Sequence, residues 1–326
     1  MKRKIKIGVV GTNFVSDWLV EAAALTGDFD VTGVYSRKRE TGEAFASKHG
    51  IKSVFTDYGE FLESEEIEAV YIASPNSLHF EQTMQALSSG KHVLCEKPIA
   101  TSSEQLALME KTAKEKNLVL LEAMRPAHDP AMRIIKENIS KIGKVRRACF
   151  QFCQYSSRYD KYKEGIVMNA FNPKLSNAAV MDLGVYCLCY SIMLFGKPAD
   201  VNVSSVFLPN GMEAQGTVLL TYDGMISEIS YSKIADALTP SYIYGEDGFI
   251  EIDKLSTPSK LRIVYRDKRE ENLNYTPCEN NMVYELNSFS DLINGEDSLL
   301  LEMQETTRIT TEVLDEIRKK SGIVFN

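Results

Sequence analysis

Over the first 123 residues, short continuous apolar runs alternate with stretches whose apolar positions recur about every 3.6 residues. The runs cover 5–10, 29–35, 69–73, 92–95 and 118–123, and the helical spacing is clearest at 14–25, 78–87 and 105–114. Continuous β-branched runs of this length, each followed by a helix, predict parallel strands covered on both faces. Such an alternation is the doubly wound α/β arrangement, whose ligands bind at the carboxyl ends of the strands.

The pattern changes after Arg125-Pro126. A helix is predicted at 131–139, a long strand at 144–154 and a buried helix at 180–194. Strand patterns follow at 201–208, 216–222, 225–231, 241–244, 249–252 and 261–265. Asp223-Gly224 and Asp247-Gly248 read as hairpin turns, so these strands should pair antiparallel. Two helices, 281–292 and 300–319, close the pattern. The expectation is an α/β Rossmann domain over 1–123 that binds a dinucleotide. An α+β domain over 124–326, with a large, mostly antiparallel sheet, would bind substrate and mediate oligomerisation.

Composition fits that division. The chain has 326 residues, about twice the usual single-domain size. Its 44% hydrophobic and 25% charged content excludes a disordered chain. The net charge of −8 disfavours nucleic acid and anionic membrane as partners. No run of 18 apolar residues is present, and Asn13, Asp17 and Glu21 interrupt any signal-like segment. The six cysteines lack C-x-x-C spacing and the four histidines form no metal-ligand pattern. A reduced, cytoplasmic chain without a metal is expected.

Candidate chemistry begins at the first strand–helix turn, Gly11-Thr12-Asn13-Phe14. In a dinucleotide fold this turn brings the pyrophosphate to the helix amino end, where the dipole favours anions. Asn13 stands where the fingerprint has its middle glycine, and Ser16 where it has its last small residue. Asparagine tolerates left-handed backbone angles. Taken alone, the turn is equally compatible with a plain strand–helix connection. The second strand ends at Ser36, Arg37 and Lys38, where an NAD binder would carry an acidic residue. A hydroxyl and two cations suit a 2′-phosphate, so NADP(H) is preferred, with NAD(H) still possible.

The segment 70–100, containing YIASPNSLHF and GKHVLCEKPIA, resembles the Gfo/Idh/MocA oxidoreductases, and its EKP tripeptide is their most specific signature. Met181-Asp182-Leu183-Gly184-Val185-Tyr186 matches the D-x-G-x-[HY] motif of that family's second domain. Tyrosine at its last position is similar to the dihydrodiol dehydrogenase and glucose–fructose oxidoreductase branch. The resemblance covers essentially the whole chain. It departs from the family at Phe171-Asn172 and Asn177-Ala178-Ala179, where a Trp-Arg pair and a glycine run are common.

The resemblance implies that Ser74, Asn76, His79, Glu96 and Lys97 line the cofactor together with the first turn. It gives Lys97 the polarisation of the substrate oxygen beside the nicotinamide and Tyr186 the proton transfer. Asp182 would orient substrate hydroxyls or the lysine, four residues before Tyr186 and so on the same helical face. Arg125 and His128 are further candidates for the substrate pocket, the alternative for each being a salt bridge or a helix cap. The implied activity is hydride transfer between NADP(H) and a small molecule: a sugar, polyol, cyclic diol or related carbonyl compound held between the domains. A homodimer or homotetramer through the carboxy-terminal sheet is also implied. The row Val201, Val203, Ser205 and Phe207 is compatible with such a covered face. The alternative of another class is a non-catalytic NAD(P)-sensing regulator of the same fold. A third is an enzyme whose bound nicotinamide shuttles between two substrates.

Overall fold

A computed structural model of the chain describes residues 3–296 and 300–325. The amino-terminal elements are β1 (Ile5–Val10), α1 (Phe14–Thr26), β2 (Phe29–Tyr35), α2 (Arg39–His49), β3 (Ser53–Phe55) and α3 (Tyr58–Glu63). Next come β4 (Ala69–Ile72), α4 (Asn76–Ser88), β5 (His92–Glu96), α5 (Ser103–Glu115) and β6 (Leu120–Ala123). The middle of the chain holds α6 (Arg125–His128), α7 (Pro130–Asn138), β7 (Val145–Cys153), α8 (Tyr159–Lys163) and α9 (Val185–Phe195). The strands β8 (Asp200–Phe207), β9 (Glu213–Tyr222), β10 (Met225–Ser232), β11 (Ser241–Gly245), β12 (Gly248–Ile252), β13 (Leu261–Tyr265) and β14 (Glu270–Asn272) follow. The last elements are α10 (Met282–Ile293) and α11 (Leu300–Ser321).

Among the described residues the strands form two sheets. The first has the order β3-β2-β1-β4-β5-β6 and is parallel throughout. Strand order reverses between β1 and β4, which places the ligand crevice of this architecture at their carboxyl ends. Alternate side chains feed two cores: Val9 and Tyr71 point to one face, Val10, Val70 and Ile72 to the other. This two-sided burial is why these strands read as unbroken apolar runs.

The chain divides into two compact units, and the division is not a single cut. Unit one takes Met1–Arg125 and Glu279–Gln304; unit two takes Pro126–Cys278 and Glu305–Asn326. Helix α10 belongs with the first unit because Met282, Leu286 and Phe289, spaced at helical intervals, complete its core. Phe289 stacks on Phe29 with ring centroids 6.3 Å apart.

The second sheet has the order β14-β13-β12-β11-β7-β10-β9-β8. Its neighbours are antiparallel except β7 and β10, which run parallel from Ile226↔Arg147 to Ser232↔Cys153. The long connection after β7, through α8 and α9, permits that exception, whereas the short turn at Asp223-Gly224 enforces the β9–β10 hairpin. Every residue from Val185 to Ile192 in α9 is buried. The stretch Pro173–Phe195 is long and apolar enough to cross a membrane by composition, yet 78% of its most apolar window is buried inside the protein. The expected helix over 180–194 also differs in detail, because Val180–Gly184 forms a wider π-turn before α9 begins.

In the alternating row read from β8, Val201 and Val203 face inward, whereas Phe207, beyond a register shift, is exposed. Val201 and Val203 pair with Leu220 and Val218, both buried. The opposite face carries the exposed Val206 at one end of β8, and exposed Leu219 on β9 and Ile226 on β10 further along the same face.

Candidate functional site

At the β1–β4 crevice, Gly11 has a φ of +100°, and a Cβ there would stand 2.9 Å from the Ala73 carbonyl oxygen. Only glycine fits that close approach without strain. Asn13 caps α1: its Oδ1 accepts from the Val15 and Ser16 N–H groups at 2.9 and 3.3 Å. Its Nδ2 donates to the Ala73 carbonyl at 2.7 Å, tying the helix start to the end of β4. Asn13 thus replaces the fingerprint's middle glycine with a helix cap and a crosslink between the two strands that flank the crevice.

The end of β2 carries no acid. Arg37 and Lys38 are exposed there at the start of α2. Ser36 is buried, and its hydroxyl shares a 2.6 Å hydrogen bond with Thr41, which in turn donates to the Lys38 carbonyl. The two cations therefore offer themselves to an anionic group, while Ser36 and Thr41 stiffen the loop beneath them. A glycine cradle at the crevice and uncompensated cations at the β2 end fit a dinucleotide with a 2′-phosphate.

The loops after β4 and β5 are joined by His79. Its Nδ1 lies 2.9 Å from the Pro98 carbonyl oxygen and its Nε2 2.9 Å from that of Ser74. Burial pushes the imidazole pKa down, the two carbonyls oppose this, and the Lys97 charge adds to the depression. His79 is thus a buried ring held between the two loops, each nitrogen facing a backbone carbonyl. Ser74 donates to Gln82 Oε1 at 2.6 Å, and Asn76 opens α4.

Lys97 follows β5, and the Lys97–Pro98 bond is cis. Glu122 on β6 accepts the Ile99 N–H at 3.0 Å and holds the chain just beyond. Glu96, one residue before Lys97, accepts a hydrogen bond from the Tyr71 hydroxyl at 2.5 Å. Burial raises the Glu96 pKa, opposed by the Lys97 charge, the Tyr71 bond and Arg125. Glu285 on α10 is fully buried beside this group. Glu285 carries no local sequence signal, whereas Glu122 opens a Glu-Ala segment similar to the one the family has after its sixth strand.

In the second unit, the π-turn Val180–Gly184 carries Asp182, and the first turn of α9 carries Tyr186. π-turns within helices concentrate at functional sites. Gly184 is required where it stands, since a Cβ would meet the Tyr231 ring at 2.8 Å. The same ring leaves no room at Gly216, where a Cβ would lie 2.3 Å from the Tyr231 oxygen. Buried Glu213 accepts the Val180 N–H at 3.0 Å and so grips the start of the turn. Burial raises the Glu213 pKa, and that backbone bond is the largest opposing influence.

The Asp182 side chain is 38% exposed, and its Oδ2 accepts from Lys233 Nζ at 2.8 Å. Tyr186 is buried to 4% exposure, with its ring edge-on to Phe152 at 5.5 Å. Lys233 is a second residue invisible to sequence patterns, because it reaches Asp182 across 51 positions of chain. Ala178 and Ala179, where relatives of the expected kind often have glycine, are fully buried at the start of the turn.

Two substrate candidates remain, Arg125 and His128. Arg125 Nη1 lies 3.3 Å from Asn281 Oδ1 and the guanidinium sits 5.8 Å from the Trp18 ring centroid, all within the first unit. His128 is half-buried on α6.

Comparison with known proteins agrees with both halves. Residues 5–124 match an oxidoreductase family with an NAD-binding Rossmann fold, GFO/IDH/MocA, and residues 132–251 match the GFO/IDH/MocA C-terminal domain. The chain is 42% identical over 325 residues to scyllo-inositol 2-dehydrogenase (NADP(+)) IolU of Bacillus subtilis, covering 98% of each chain. It is 25% identical over 337 residues to trans-1,2-dihydrobenzene-1,2-diol dehydrogenase of Mus musculus, covering 98% of this chain and 96% of the other. In fold it is similar to the 3-ketoreductase KijD10 of Actinomadura kijaniata in complex with NADP and TDP-benzene. That likeness has a TM-score of 0.85 at 22% identity over 98% of both chains.

Proposed function

The chain belongs to the GFO/IDH/MocA oxidoreductase family, and from that premise we propose that it interconverts a cyclic polyol of the inositol kind and its ketone. It is an NAD(P)-dependent oxidoreductase acting on CH–OH groups, with NADP(H) as cofactor. The observation that carries the substrate class is the 42% identity, over nearly the full length, to an NADP-dependent scyllo-inositol dehydrogenase.

NADP, when bound, takes up or supplies the hydride. Gly11, Thr12, Asn13 and Phe14 would hold its pyrophosphate, Arg37 and Lys38 its 2′-phosphate, and Ser74, Asn76 and Glu96 the side nearer the nicotinamide. We assign the Lys97 ammonium to the substrate oxygen, where a fixed cation stabilises negative charge developing in the transition state. The Tyr186 hydroxyl gives or takes the proton of that oxygen. The Asp182 carboxylate accepts hydrogen bonds from neighbouring substrate hydroxyls, the usual way a carboxylate orients a polyol. The presence of Lys97, Asp182 and Tyr186 together supports catalysis over a purely sensing role.

Absorbance at 340 nm, following scyllo-inositol, myo-inositol, aldoses and cyclic 1,2-diols with NADP and with NAD, tests this reading. Turnover of an inositol with NADP is expected. Rates confined to aldoses or diols would overturn the substrate class and leave the oxidoreductase intact.

We further propose a homodimer or homotetramer in which exposed Val206, Leu219 and Ile226 on β8, β9 and β10 meet a second copy. Light scattering on wild type and Leu219→Glu tests it, and an unchanged mass would remove this face from the interface. A cytoplasmic location accords with six free cysteines, and cell fractionation tests it.

A further inference from the structure

The Lys233 side chain, on the residue just after β10, is only 4% exposed. Burying an ammonium is unfavourable unless its donors are matched. Here they are met by two different segments of the second unit. Nζ donates to Asp182 Oδ2 at 2.8 Å and to the Ala170 carbonyl at 2.9 Å, and it stands 5.3 Å from the centroid of the Phe171 ring. The backbone on which it sits is itself anchored, since Lys233 N–H donates to the Ala214 carbonyl at 2.9 Å. Two residues earlier, Tyr231 fills the space left by Gly184 and Gly216. The end of β10 therefore presses a ring against the π-turn and offers a cation to its carboxylate.

A buried ammonium with these partners has little surface left to meet a ligand, whereas Asp182 keeps 38% of its side chain exposed. The direction of the interaction follows: the lysine acts on the carboxylate, and the carboxylate acts on what lies outside. We infer that Lys233 is a positioning residue, which fixes Asp182 and ties it to the turn Asn169–Phe171 so that the carboxylate meets substrate hydroxyls in one orientation. This rests on the reading of Asp182 as a substrate contact. Without the lysine, the carboxylate would rotate and hydrate, and ordering it would fall to the substrate. The loss should therefore appear in substrate use and leave the cofactor alone.

The test is a double-mutant cycle of Lys233→Met and Asp182→Asn with scyllo-inositol and NADP, joined by calorimetric melting and the Kd for NADPH. Lys233→Met is expected to lower kcat/KM about tenfold to a hundredfold, the range for a hydrogen bond to a charged group. NADPH affinity should be unchanged, and within the Asp182→Asn background Lys233→Met should cost less than about twofold. Lys233→Gln, which keeps a donor for the Ala170 carbonyl, serves the same cycle if Lys233→Met does not fold. An equal loss from Lys233→Met in both backgrounds overturns the positioning role alone. Normal kcat/KM in Asp182→Asn overturns it together with the assignment of Asp182. A readout free of substrate is the ¹³C carboxyl titration of Asp182, which should move to higher pH in Lys233→Met as the cation is lost. An unmoved titration also overturns the inference.

Discussion

The Tyr71 hydroxyl on β4 donates to Oε1 of Glu96 at the end of β5 across 2.5 Å, so the residue that precedes Lys97 is tied to the strand at the centre of the first sheet. Tyr71 is fully buried. Tyr71→Phe keeps the ring and removes the donor, leaving the carboxyl without that partner. A loss of about 1–3 kcal/mol is expected for a buried acceptor so deprived. Calorimetry on the two proteins checks it, and an unchanged Tm would show that Glu96 finds another donor at no cost.

The same group makes a prediction about pH. Burial, and after it the Glu96 carboxylate, push the Glu285 pKa well above its ordinary value, with Arg125 opposing. The folded protein thus holds a proton that the unfolded chain releases above about pH 4.3. The stabilising contribution of Glu285 is complete below that pH and is lost as pH rises toward the folded value. Glu285→Gln keeps the shape and removes the titration. Its Tm should match wild type near about pH 4.5 and exceed it by a growing margin toward about pH 8. A constant difference across that span would mean Glu285 does not hold its proton on folding.

How much of this was legible depends on whether the signal is local. β1 and β2 were readable to the residue because mostly apolar, β-branched-rich runs end at the turn residues Gly11 and Ser36. β3 was not, since three half-buried residues carry no period. The π-turn at Val180–Gly184 escaped because its residues and those of α9 are almost all buried, so the pattern has no polar phase to betray a change in winding. The return of α10 to the first unit, and the inward facing of Val201 and Val203, are matters of tertiary packing. Lys97, Asp182 and Tyr186 were visible as motifs. Their supports Glu213, Lys233 and Glu285 were not, because each acts across many positions of chain.

Cofactor preference should follow the cations after β2. Arg37 and Lys38 are exposed, so their attraction to a 2′-phosphate is screened by salt and modest for each residue. Arg37→Ala is expected to raise the Kd for NADP about tenfold, within the range of a charge-assisted hydrogen bond, and to leave the Kd for NAD nearly unchanged. Fluorescence titration with both cofactors at two salt concentrations decides it. Equal weakening toward NADP and NAD would place Arg37 elsewhere on the nucleotide.

The proton step offers the sharpest test of the catalytic assignment. Tyr186 is buried to 4% exposure and packs edge-on against Phe152, so Tyr186→Phe preserves the ring contact and deletes only the hydroxyl. If that hydroxyl transfers the proton, kcat should fall about 10²–10⁴-fold, with Tm and NADPH affinity close to wild type. Lys97→Ala should cost at least as much, because it removes the charge that stabilises the developing oxyanion. Groups that act as one unit are strongly non-additive, so the double variant should be far less impaired than the product of the single losses. Losses that multiply would mean that the two residues serve separate steps. A Tyr186→Phe protein with normal kcat would leave its hydroxyl a packing feature of α9, and Asp182, on the preceding turn, would become the group to test as the proton carrier.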